Sequence, residues 1–162
     1  MWRVGRKKAD RTGGAVMREI LFRGKRLDNG EWVGGNFYES QISGCYIVEN
    51  KLLATVGGRH SRATIRDKLI PYEVDPETVG QYTGKVVKTG KVFDGDIGKS
   101  IDGIFLVCWD DEKAAFVMRF NEYPYETLYL EEMWDDAEII GNIHDNPELL
   151  EVRDGKAGKK PC

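Results

Sequence analysis

Apolar and polar residues alternate over short distances along this chain, with a period near two over most of its length. "REILFRGKR" and "EWVGGNFYES" flank "LDNG", and Asn29-Gly30 supplies the positive φ angles of a tight turn, so a β-hairpin is predicted there. "CYIVEN" adds a strand rich in aromatic and β-branched residues. In "GIFLVCWDDEKAAFVMRF", Ile104, Leu106 and Cys108 alternate with Phe105, Val107 and Trp109, which makes both faces of that strand apolar. Such a strand belongs inside a closed barrel or between layers. Asp110-Asp111-Glu112-Lys113 is its polar turn, and "AAFVMRF" is the returning strand. "EIIGNI" is a last strand, and "HDNPELLEV" a short helix capped by Asp145 or Asn146 with Pro147 in its first position. The pattern predicts an all-β protein with one short C-terminal helix.

Between these runs the signals are those of turns. "TVGGRHSRATI" reads as a glycine- and arginine-rich loop, and Pro71 and Pro76 set an extended path. A boundary near Lys68–Glu73 separates an N-terminal β region, 17–70, from a C-terminal barrel-like region, 71–151. Residues 1–16 read as a disordered leader, and 152–162 as a disordered polar tail. Gly13-Gly14 ahead of Met17 fits a purine-rich ribosome-binding sequence in the gene, which would put the native start at Met17.

Composition narrows the class. The chain has 162 residues, of which 41% are hydrophobic and 31% charged, as folded water-exposed proteins have. No apolar run approaches the roughly 20 residues of a membrane span, and the basic, polar first residues do not form a signal peptide. The expected location is the cytoplasm, with no membrane partner. Charge is unevenly spread: net +4 in residues 1–16, +3 in 17–70, −13 in 71–151 and +3 in 152–162. An acidic C-terminal half repels phosphate backbones.

The glycines of "TVGQYTGKVVKTGKVFDGDIGKS" raise the question of a phosphate loop, which needs Gly, four residues, then Gly-Lys and Ser or Thr. Three residues separate Gly80 from Gly84, five separate Gly84 from Gly90, and Phe93 stands where Gly98-Lys99-Ser100 would need its first glycine. The spacing removes the mechanism, because consecutive N–H groups no longer converge. The stretch turns corners: Lys88-Thr89-Gly90-Lys91 is a hairpin turn and Asp94-Gly95-Asp96 interrupts a strand. A calcium loop starting at Asp94 fails, since Lys99 and Phe105 occupy its glycine and acidic positions. Cys45, Cys108 and Cys162 form no C-x-x-C pair, so no zinc site is suggested. No nucleophile elbow surrounds a serine or cysteine, and no cofactor is implied. A metal-dependent hydrolase using Asp110-Asp111, Glu131-Glu132 or Asp135-Asp136 is the weakest reading, because neighbours on a strand point to opposite faces. Arg59, His60, Arg62 and Arg66 are the candidate anion or nucleic-acid contacts, with Tyr38 or Tyr46 available for stacking.

Four stretches together resemble the YopX family of phage and prophage proteins: "MREILFRGKRLDNGEWVGG", "DPETVGQYTG", "VFDGDI" and "EIIGNIHDNPELLE". The resemblance spans nearly all of 17–151, with Gly98 standing where an apolar residue would be usual in the family. It implies a mostly β protein with an SH3-like barrel element in its C-terminal half, and no established activity. The functional expectation is a non-enzymatic accessory protein that binds other proteins, of the phage or the host, and forms homo-oligomers. Nucleic-acid binding through the basic N-terminal region is the alternative.

Overall fold

A computed structural model describes residues 19–55, 64–121, 127–130 and 137–150, with backbone alone at 53–55, 64–67 and 127. It is mainly β and built as two antiparallel sheets. The strands are β1 (Phe22–Lys25), β2 (Trp32–Ser40), β3 (Gly44–Thr55), β4 (Thr64–Val74), β5 (Gly80–Val87), β6 (Gly90–Phe93), β7 (Asp96–Ser100), β8 (Gly103–Asp110), β9 (Ala115–Phe120), β10 (Thr127–Tyr129) and β11 (Glu138–Asn142). The first sheet has the order β4-β3-β2-β1-β5-β6 and the second β10-β9-β8-β7-β11. Among the described residues, no helix is long and apolar enough to cross a membrane.

Turn chemistry sets the hairpins. Gly30 (φ 73°) ends the β1–β2 turn and Gly90 (φ 132°) the β5–β6 turn, as the sequence predicts. The β8–β9 turn after Asp110 instead closes on Ala114 at φ 49°, which no sequence signal announces. β2 changes partner midway: Trp32–Gly35 pair with β1, and Asn36–Ser40 with β3. A Cβ at Gly35 would lie 2.3 Å from the Val48 carbonyl oxygen, so only glycine lets the two backbones cross there. β4 runs unbroken through Pro71, and its far end meets the residue after β1 in an isolated bridge, Arg26 to Val74.

The core straddles β8. Phe105 and Val107 join Val92, Phe116, Met118, Phe120, Leu130 and Ala137 on one side. Leu106 and Cys108 join Ile97 and Val117 on the other, under Ile143, Leu149 and Leu150. The strand apolar on both faces is therefore the middle of the second sheet, covered on each side. Trp109, at its end, is 41% exposed and stacks edge-on with Phe116 instead of entering the core.

Two expectations are met only in part. The second sheet is open, so the fold is β-rich and antiparallel without a closed barrel. The cause lies in chain routing: β5 pairs with β1 and β6 with β5, so both belong to the first sheet, leaving the second with edges at β10 and β11 among the described residues. In place of the C-terminal helix there is one 3-10 turn, Pro147–Leu150, with Leu149 N–H donating to Asn146.

Gly98 has a packing role. It pairs with Phe105 across β7–β8, and a Cβ there would lie 2.2 Å from the phenylalanine ring. The ring fills the space that an apolar side chain at 98 would take. Gly98→Ala should cost about 1–3 kcal/mol in chemical denaturation. Adding Phe105→Leu should restore part of the loss; a single variant as stable as the parent refutes the packing.

Candidate functional site

The strongest concentration of polar chemistry lies between the sheets, at the β6–β7 turn. Arg23 on β1 reaches across to Asp96 on β7, 2.5 Å from Nη2 to Oδ1; the carboxylate is buried and the arginine largely so. Nη2 also approaches the Asp94 carbonyl oxygen at 3.5 Å. The guanidinium lies 4.8 Å from the centroids of both Trp32 and Phe93, stacked between two aromatic rings. Its Nε is buried with no hydrogen-bond partner among the described residues. Asp96 Oδ2 accepts the Phe93 N–H at 2.7 Å, so the carboxylate also closes the turn.

Beside it runs a second, more exposed chain of contacts. Asp145 pairs with Lys25 and accepts hydrogen bonds from Trp32 Nε1 at 2.7 Å and Asn142 Nδ2 at 2.9 Å. Asn142 Oδ1 in turn accepts the N–H groups of His144 and Asp145, both at 3.0 Å. His144 stacks obliquely on Trp32, its centroid 6.0 Å away. Behind β1, Thr78 Oγ1 accepts the Lys25 N–H at 2.8 Å and donates to the Asp75 carbonyl at 2.7 Å. Asp75 Oδ1 caps the 3-10 turn Pro76–Thr78 through the Glu77 N–H. Each of the four stretches singled out in the sequence thus supplies residues to one hub.

Burial sets the protonation behaviour. Desolvation raises the Asp96 carboxyl above its ordinary range, against the opposing pull of Arg23. Asp94 is raised for the same first reason, with backbone hydrogen bonds and Arg23 acting the other way. His144 is lowered, by burial first and then by Arg23 and Lys25. Asp145 is held well below the carboxylate range, chiefly by its bonds to Lys25, Asn142 and Trp32. Opposite shifts in adjacent groups resemble an acid–base site. Here, however, Asp96 and Asp145 spend their oxygens on structural partners. Among the described residues no three His, Cys, Asp or Glu side chains are placed to hold a metal ion. What the arrangement does with the groups described is lock two sheets together.

The predicted anion contacts are elsewhere. Arg59, His60 and Arg62 lie outside the described residues, and Arg66 is described only as a backbone position of β4, opposite Leu53. Tyr38 and Tyr46 face each other across β2–β3, with Tyr38 60% exposed. The hub was missed because its members are scattered along the chain; "DGD" and "NIHDN" carried its acids without naming their partners.

Removing one member of a buried pair leaves the other charge unmatched, so Arg23→Met or Asp96→Leu alone should cost about 3–5 kcal/mol, and the double variant less than their sum. Purely additive losses in denaturant titrations would count against the pair. Asp145, lowered in the folded state, contributes stability above its unfolded value near about 3.9, lost as pH falls through the folded value. Asp145→Asn should therefore lower the thermal midpoint at pH 7, and the gap to the parent should shrink between about pH 4 and pH 2. A gap independent of pH would contradict the assignment.

Among curated proteins, none matches the chain. Residues 21–151 match the family described as YopX protein, a span that takes in the eleven described strands and the hub. The chain belongs to the YopX family.

Proposed function

We propose that this chain is a non-enzymatic protein-interaction module that self-associates, an accessory protein of phage or prophage acting in the cytoplasm of the bacterial host. One observation carries the reading. β3 pairs with β2 only over Gly44–Val48, whereas Glu49–Thr55 pair with β4 alone. The β3–β4 hairpin thus continues as a two-stranded ribbon, seven residue pairs long, with no third strand beside it among the described residues. On its outer face Leu52 and Leu69 are 66% and 63% exposed and diagonal neighbours, in line with Pro71, Val48 and Tyr38. Two-stranded ribbons are marginal in water, and such an apolar stripe is ordinarily covered.

A second copy is the occupant favoured by charge. Residues 17–70 carry +3 and 71–151 carry −13, so basic and acidic regions of two copies attract. The consecutive hairpins β7-β8-β9-β10 support an SH3-like reading of the C-terminal half, a geometry used in many binding modules. Nothing in this reading calls for bond-making groups or a cofactor. Size-exclusion chromatography with light scattering tests it. The parent should be larger than a monomer, and Leu52→Ser/Leu69→Ser should weaken association at least tenfold. A strict monomer in low and high salt alike overturns self-association.

A further inference from the structure

The opposite face of the ribbon has a different chemistry. Lys51 and Lys68 stand directly across from one another in register, both exposed, on the same side as Ile47 and Tyr72. Glu49 Oε2 is 3.2 Å from Lys51 Nζ and offsets one of the charges. Like charges placed directly opposite work against strand pairing, so this arrangement does not stabilise the ribbon itself. Its geometry suits an extended polyanion. About 5 Å separates opposed partners across the pair, so each lysine can meet a different phosphate.

The body of the protein constrains what can approach. Residues 71–151 carry −13 and repel a phosphate backbone, which favours the ribbon over that half as the contact. Its seven pairs extend about 23 Å beyond the last residue that β2 supports, far enough to hold an acidic body off a bound duplex. A two-stranded ribbon also fits the major groove of a nucleic-acid duplex, about 12 Å wide in DNA.

We propose that the Lys51/Lys68 face of the β3–β4 ribbon binds double-stranded nucleic acid, with the two lysines on backbone phosphates and the ribbon lying in a groove. Such contacts position the protein without reading sequence. The proposal uses the face opposite Leu52 and Leu69, so it stands or falls apart from self-association.

The test is fluorescence anisotropy of a labelled DNA duplex about two helical turns long, titrated with the full chain between about 50 and 200 mM salt. The slope of log affinity against log salt should lose about 0.9 for each phosphate contact removed, hence about 1.8 in Lys51→Gln/Lys68→Gln. Leu52→Ser/Leu69→Ser should keep the parent's slope, and unchanged thermal midpoints confirm that the lysine variants fold. No anisotropy change for the parent at low salt overturns the proposal, as does an unchanged slope in the lysine variant. Tighter binding of the single strand than of the duplex overturns the groove. If the lysine pair instead alters the oligomer size without any duplex binding, that face belongs to a second copy.

Discussion

A largely buried cation and a buried carboxylate from different sheets can lie together only in a narrow range of positions, and Arg23 with Asp96 sets that range for this molecule. The guanidinium sits between the Trp32 and Phe93 rings and the carboxylate holds the Phe93 N–H, so shifting either sheet breaks a charge contact and a turn together. Burial of the carboxylate opposes its attraction to Arg23, and the cost of desolvating such a pair offsets much of its Coulomb gain. Its role is orientation. The driving force comes from the apolar clusters on both sides of β8, which are non-directional and would tolerate several arrangements of the sheets.

This division of labour explains where the interaction surface lies. Strands in contact with the hub or the clusters are held from several directions. Among the described residues, the distal half of the β3–β4 hairpin is held by its own ladder alone, and exposed Leu52, Leu69, Lys51 and Lys68 belong to neither cluster. Regions with few buried contacts occupy the low-stability end of a structure and are where binding segments are commonly found. The switch of β2 from β1 to β3 at Gly35 is what releases the ribbon. Once β2 turns to pair with β1, no strand among the described residues other than β4 flanks β3 beyond Val48.

Local features were legible in the sequence. The turn at Asn29-Gly30, the hairpin at Thr89-Gly90 and the doubly apolar strand at Gly103–Asp110 all appear where alternation and turn chemistry put them. The hub was not legible. Trp32 and Asp145 are 113 residues apart and Arg23 and Asp94 are 71 apart, and no local pattern pairs residues at such separations. For the same reason the acids of "VFDGDI" could be judged as ligands for metal or phosphate, but their arginine could not be foreseen.

By itself the sequence determined that this is a strand-built protein, which turns it uses, which strand is buried on both faces, and that its charge is divided between basic and acidic regions. These follow from side-chain period, backbone preference at glycine, and ionisation, all properties of neighbouring residues. Only the tertiary structure decided that β5 and β6 join the first sheet, that the second sheet stays open, that the glycine at 98 makes room for a ring, and that β3 and β4 outrun their neighbours. Those outcomes depend on which strand edges meet and how closely backbones can cross, and such contacts exist only after the chain has closed its long loops.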